Sequence, residues 1–392
     1  GEAPNSRRIA RNLQLVNEHP AKQTTVLLRS GKAENEVDIA LKVDDDKPWK
    51  AVASLDNTGT SQTGYLRLGV GFQYSNLFDR DHVLTAQYIT SPTRMNSVTI
   101  VGLGYRIPFY AHNSSLDLIA GYSDVDSGVV QELFTVSGSG AVFGARWNYY
   151  LPKWGEIEHK LGFGLDYKAF QSKAIVAGQN LLGDVTVHPV SVTYGGVLRM
   201  ANGEFGYHLA ALQNIPGGND GTDRDLKNAP RPDARAAYRV YRYGVNYVRL
   251  LPAEWQLRIG FSGQETGDAL VPGEQFGIGG PDTVRGFLVR EVANDRGYNG
   301  TVEVFTPDLA SRFGFKEWRA RLVGFYDWGT TSRNSIQAGE ASGESIASAG
   351  FGVRLARGKN FSVRVDVAQV LNAGGARAKN DQRVNAAFAF VY

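Results

Sequence analysis

The 392-residue sequence predicts an all-β protein: a 16-stranded antiparallel transmembrane β-barrel with a small α+β segment at its N-terminus. Three observations lead there. Glycine (46), tyrosine (18) and phenylalanine (19) are abundant and methionine (2) is rare, a balance that favours strands. From Trp49 onward, apolar and polar residues alternate with period two, in runs that reach the roughly 9–11 residues a membrane strand needs. The linkers between these runs alternate short and long, as the two rims of an outer-membrane barrel require.

Residues 1–48 differ from the rest. "NSRRIARNLQLVNEHP" sets Ile9, Leu13 and Val16 at helical spacing, and Pro20 follows the stop. "QTTVLLRS" and "NEVDIALKV" read as two short strands joined by a turn at Ser30-Gly31. Such a helix–strand–strand unit is too small to bury a core alone. Asp44 and Asp45, in "DDDKPW", are expected in a polar hinge before the barrel. "GEAPNSRRIARNL" has no apolar signal-peptide core, so the chain is expected to be a mature protein or a piece of a longer one. No run of about 18 apolar residues predicts a membrane-spanning helix.

The alternation fixes two faces. Leu66, Leu68, Val70, Phe72 and Tyr74 oppose Tyr65, Arg67, Gly69, Gly71 and Gln73. Leu161, Phe163, Leu165 and Tyr167 oppose Lys160, Gly162, Gly164, Asp166 and Lys168. Tyr241, Tyr243, Val245 and Tyr247 oppose Arg242, Gly244 and Asn246. Phe361, Val363, Val365 and Val367 oppose Ser362, Arg364 and Asp366. In a soluble sandwich the apolar face would be the core. In a membrane barrel it faces lipid, and the charged face lines a lumen. Strand length, the gathering of tyrosine and tryptophan near strand ends, and the linker alternation favour the barrel. Long linkers are expected near 124–138, 171–187, 213–236, 267–296, 330–345 and 369–383. The last run, "VNAAFAFVY", alternates to the final Tyr392 and fits the strand that closes a seam.

Several function classes fall away. A net charge of +3, evenly mixed, offers no concentrated basic stripe for nucleic acid. There is no cysteine, and the six histidines are scattered without an H-E-x-x-H pattern, so no metal site is expected. Gly277, Gly279 and Gly280 are not followed by the lysine-serine/threonine of a phosphate loop. "VSGSG" lacks the strand–turn–helix setting of a nucleophile elbow. No cofactor, catalytic residue or enzymatic activity is expected. The lumen-side cations Arg67, Arg146, Lys160, Lys168, Arg242, Arg258, Arg321 and Arg364 fit either a path for an unfolded polypeptide or pairing with lumen carboxylates.

"EQFGIGGPDTVRGF" (274–287) falls in the long loop expected at 267–296, about 30 residues between strands expected near 255–266 and 297–305. Within it, Val284, Arg285, Gly286 and Phe287 resemble the V-R-G-F/Y loop motif of the outer-membrane transporters that include two-partner-secretion pores (TpsB) and barrel-assembly proteins. Downstream "FYDWG" resembles the F-x-D-x-G strand motif of the same proteins, with Phe325, Asp327 and Gly329. "SDVDSG", "VSGSG" and "LVPGEQFGIGG" also look like TpsB sequence, and residues 1–48 resemble the end of a POTRA domain, a periplasmic module. The alternation independently sets Phe325, Asp327 and Gly329 on the lumen side, where a carboxylate can be hydrated or paired.

The resemblance implies that loop 267–296 folds back into the barrel and that Arg285 meets Asp327. Glu303, on the lumen side of the next strand, is a second candidate partner; the alternative is a solvated loop arginine. Phe388, Phe390 and Tyr392 look like a C-terminal assembly signal, or form an ordinary last strand. The function implied is export of a partner exoprotein in extended form across the bacterial outer membrane, without ATP. The partners implied are that exoprotein, outer-membrane lipid and the barrel-assembly machinery, and the chain is expected to be a monomer. Resembling proteins carry a plug helix and two POTRA domains, so a truncated N-terminus is expected. The alternatives are a barrel-assembly factor, the translocation barrel of a fused passenger, and a soluble sugar-binding β-protein.

Overall fold

The computed structural model describes all residues except 1–5, 31–36, 126–127, 131–133, 137–138, 172–174, 177–178, 181–182, 227–230 and 232. The strands from Trp49–Asp56 to Gln382–Val391 join edge to edge, each antiparallel to its neighbours, into a closed barrel. Val185–Val187 and Pro189–Met200 both pair with Ile157–Gln171 and form one strand interrupted at His188, which makes sixteen. Closure removes the unpaired strand edges that a hydrocarbon environment cannot satisfy.

The two faces are those of the alternation. Phe163, Leu165, Leu322 and Phe351 stand exposed on the outer wall, Leu165 by 63% and Phe351 by 66%. Their neighbours in sequence point into a packed, polar lumen, where Phe325, Asp327 and Asp366 are buried. No helix among the described residues is long and apolar enough to cross a membrane.

Seven short connections (78–81, 110–113, 151–156, 201–202, 251–255, 306–317 and 358–360) share the rim where the N-terminal segment enters. The longer connections, including 215–238 and 266–295, share the other. Strands run further into the long linkers than hydropathy indicates. Trp318–Ser332 and Gly343–Arg357 stay paired up to Ser332↔Gly343, and Val185–Val187 pairs with Lys168–Phe170. Above the apolar band the ladder continues through polar residues, and hydropathy alternation no longer marks it. Tyr65, read on the lumen face, lies before the strand Arg67–Leu77, in the connection 57–66, and is exposed.

The N-terminal segment is a helix, Ser6–Asn17, followed by the strands Lys22–Ser30 and Val37–Asp45. The turn expected at Ser30-Gly31 runs into residues outside those described. Asp44 and Asp45 are strand residues paired with Gln23 and Lys22, so the hinge begins two residues later than expected, at Asp46. Among the described side chains of the helix Leu15 is buried, with Leu13 and Val16 half-buried beside it, and the side chain of the expected Ile9 lies outside those described. The helix exit grips the barrel rim. Glu18 accepts from Lys160 Nζ at 2.9 Å and from the Tyr150 hydroxyl, and Lys22 Nζ reaches Asp81. Burial opposes the charge on Asp81, but hydrogen bonds from Lys22 and Tyr110 outweigh it and hold the carboxyl below its ordinary value.

Candidate functional site: an inner loop anchored in the lumen

The long connection between strands Gln256–Glu265 and Arg296–Phe305 turns into the barrel rather than away from it. Its stem is a small ribbon, Phe276–Ile278 paired with Val292–Asn294. Ile278, Val284, Phe287 and Val292 pack with the lumen-side wall residues Ile346 and Val370. A loop can enter a barrel only if it brings apolar side chains to bury and satisfies its own backbone. The backbone N–H of Gly279 donates to the Thr283 hydroxyl at 2.9 Å, and that of Gly280 donates to the Val284 carbonyl at 3.1 Å. Gly286 follows the arginine with φ +97°, a left-handed conformation that a side chain would oppose. A Cβ there would also stand 3.5–3.6 Å from Val370, Ala368 and Ser348 of the wall.

Arg285 is the anchor of the tip. Its Nε and Nη2 donate to the two carboxylate oxygens of Asp327, each at 2.7 Å, and its backbone N–H donates to Asp327 Oδ2 at 3.1 Å. Nη1 donates to Glu303 Oε1 at 2.8 Å. The Thr301 hydroxyl accepts from Nη2 at 3.1 Å and donates to Asp327 at 2.6 Å. The guanidinium carbon lies 3.5 Å from the centre of the Phe325 ring. Arg285, Asp327 and Glu303 are all buried. A buried guanidinium needs this density of partners, because its desolvation is offset only when nearly every N–H finds an acceptor.

The residues singled out in the sequence therefore meet. Val284, Arg285, Gly286 and Phe287 form the loop tip; Phe325, Asp327 and Glu303 surround the arginine, and Gly329 lies under Ile278. Phe388 and Phe390 lie on the outer wall of the last strand, and Tyr392 meets Trp49 at a ring distance of 5.3 Å. Sequence reasoning missed Thr301 and the pair Arg354–Asp366, in which Arg354 Nη1 lies 2.7 Å from Asp366, itself 4.0 Å from Arg285. Their lumen-side phase was the available signal.

It also missed the loop's second foothold. Glu274, at the loop's base, binds Lys168 at 2.6 Å and Arg242 at 3.1 Å on other wall strands. Burial alone would raise its carboxyl, but the two cations outweigh that and hold it below the usual range. Asp295, at the loop's end, accepts from Arg231 Nη2 and from the backbone N–H groups of Leu270 and Asn334. No periodicity marks these positions. The loop is thus a strut across the lumen, tied by Glu274 at one wall and by Arg285 at another.

The eight lumen-side cations have partners. Arg146 binds Asp166, Lys160 binds Glu18, Lys168 and Arg242 bind Glu274, and Arg258 approaches Glu303 at 3.7 Å. Arg321 donates to Gln256, Arg364 reaches Asp282, and Arg67 donates to Thr63 and the Gly64 carbonyl.

Comparison with known proteins places this geometry. Residues 35–355 match the family described as "Haemolysin secretion/activation protein ShlB/FhaC/HecB". The "Heme/hemopexin transporter protein HuxB" of Haemophilus influenzae is 22% identical over 369 residues, 91% of this chain and 62% of that protein; a second HuxB of the species is 21% identical over the same share. The chain thus spans less than two thirds of the curated relatives it matches. Among solved structures, CdiB from Escherichia coli superposes with a TM-score of 0.81 at 17% identity, covering 100% of this chain and 72% of that one. CdiB from Acinetobacter baumannii gives 0.72 at 15%, over 100% and 69%. BamA from Haemophilus ducreyi, lacking POTRA domains 1–3, gives 0.60 at 13%, over 100% and 82%. At these identities the structural likeness speaks for the fold. With its match running through most of its length, the chain belongs to the haemolysin secretion/activation protein family ShlB/FhaC/HecB, in the bacterial outer membrane.

Proposed function

We propose that this chain is the barrel of a two-partner-secretion pore, which exports a partner exoprotein in extended form across the outer membrane. The observation that carries the reading is the strut: a family member's barrel, crossed by a loop whose tip is held at Arg285 by Asp327 and Glu303. A buried ion cluster is a weak source of stability and a strong means of fixing one arrangement, which suits a loop that closes the lumen to solutes until a polypeptide enters. Arg285 and Asp327 act as the latch of that loop. Residues 1–48 are the C-terminal part of a POTRA domain on the periplasmic side, and 49–392 the barrel. Phe388, Phe390 and Tyr392 form the signal read by the barrel-assembly machinery, and the barrel works as a monomer among outer-membrane lipids, as a conduit and not an enzyme.

The test is export in a host lacking the protein. The full-length protein is expressed with the exoprotein encoded beside it, and the medium is assayed. Appearance of the exoprotein outside is expected. Its retention in the periplasm, with the barrel folded in the outer membrane, overturns the reading; rescue of outer-membrane protein folding in a depleted host would point instead to an assembly factor.

A further inference from the structure

One loop arginine is not accounted for by the latch. Arg290 follows the tip and has φ +53°, a left-handed backbone that costs a non-glycine residue energy and persists where the surroundings impose it. Its side chain lies flat across Gly277: Cγ, Cζ and Nη1 each stand 2.8 Å from where a Cβ would be, so the groove it occupies exists because residue 277 has none. Among the described residues, its guanidinium makes one hydrogen bond, from Nη2 to the Gln275 carbonyl at 3.0 Å, and no ion pair. Glu274 acts on it only from beyond ion-pair distance and already serves Lys168 and Arg242. Burial first, and the like charge of Arg242 second, lower its pKa to about 10, so it remains a cation at neutral pH.

Arg290 lines a lumen cavity of about 560 Å³ between the strut and the wall. The wall supplies Arg146, Lys168, Ser191, Thr193 and Arg242, and the loop supplies Gln275 and Asp282. The carboxylates lining this space are engaged, Asp166 with Arg146 and Asp282 with Arg364, and the buried Glu274 behind it holds two cations. A desolvated guanidinium with most of its donors unused, beside other cations, calls for an acceptor from outside the protein.

We infer that this cavity is a binding site for a segment of extended polypeptide, and that Arg290 donates its free N–H groups to the segment's carbonyl oxygens and acidic side chains. This rests on the secretion-pore reading and locates the path on the Arg290 side of the strut. An extended segment presents carbonyls on alternating sides and no internal hydrogen bonds, so it can accept from Arg290 without unfolding anything.

The test uses single-channel recording of the full-length protein in planar bilayers. The probe is a short unstructured peptide of glutamate, serine and glycine, compared with its glutamine counterpart and with free glutamate. Transient blockades by the peptides are expected in the wild type, longer for the glutamate form and absent for free glutamate. Arg290→Ala should shorten the dwell time about tenfold, the worth of a hydrogen bond to a charged group. Arg290→Lys should be intermediate, since it keeps the charge and loses the fork. Unblocked conductance and heat-resistant mobility equal to wild type would show that the variants fold. Dwell times unchanged in Arg290→Ala, absence of blockade in the wild type, or equal blockade by free glutamate would each overturn the site. Export of the exoprotein, assayed separately, decides the secretion-pore reading: export without peptide blockade would sink the site alone.

Discussion

At the residue scale, the tip is held by a guanidinium whose desolvation is offset by two carboxylates, a hydroxyl and an aromatic face. Such a cluster is weak as a source of stability and strong as a specifier, because removing one partner strands the other in a dry place. Asp327→Asn should weaken docking of the tip by about 3 kcal/mol, since Arg285 then keeps Glu303 but loses its bidentate partner. Hydrogen exchange checks this: amides of residues 276–294 should exchange faster while the wall strands stay protected, and unchanged protection in the loop would contradict it. Glu303, Phe325 and Asp327 were legible in the sequence, because period-two alternation fixes that they face inward, while Thr301 on the same face was passed over. Glu274 and Asp295 were not, since loop residues carry no phase and are placed by tertiary contacts between distant parts of the chain.

At the element scale, the N-terminal segment meets the barrel through few groups, and one of them titrates outside the membrane strands. Asp81 faces Lys22, the Tyr110 hydroxyl and, further off, His19. Its carboxyl is depressed in the folded state, so the contact contributes fully above the ordinary aspartate value, near about 4, and is lost as pH falls through the folded value below it. Limited proteolysis of residues 18–48 should therefore show no change from neutral pH to about 4 and loosening below, a step that Asp81→Asn removes. Loosening centred near pH 6 would point to a histidine instead. The helix and both strands were legible here from local spacing, while their grip on the rim through Glu18, His19 and Lys22 was not, because Glu18 and His19 lie between elements and Lys22 is the first residue of its strand.

At the scale of the whole molecule, closure depends on a short seam. The last strand pairs with the first from Ala387↔Asp56 to Val391↔Val52, and Tyr392 and Ala51 add a reciprocal pair of backbone hydrogen bonds. Beyond Asp56, the Asn57 side chain takes the place of a strand: its Nδ2 donates to the Val384 carbonyl at 2.8 Å, and its Oδ1 accepts from the Ala386 N–H at 2.9 Å. Asn57→Ala should ease local opening by about 1 kcal/mol and raise exchange of the Ala386 amide about fivefold, with the other strands unaffected; equal exchange would mean that the seam does not rely on it. The strand count and the two rims were legible because each crossing needs its own apolar band. The seam's short register was not, since alternation states which face a residue takes and leaves the offset between distant strands open.

The strut and the seam together describe a barrel that is closed at its wall and held across its lumen, and the proposed secretion function assigns control of polypeptide passage to the latch. The direct measurement is export of the partner exoprotein by the full-length protein carrying Arg285→Ala, alongside proof by heat-modifiable mobility that the variant barrel is folded and inserted. Export is expected to be abolished or strongly cut while the barrel remains. Wild-type export by that folded variant would contradict the role given to Arg285 and Asp327.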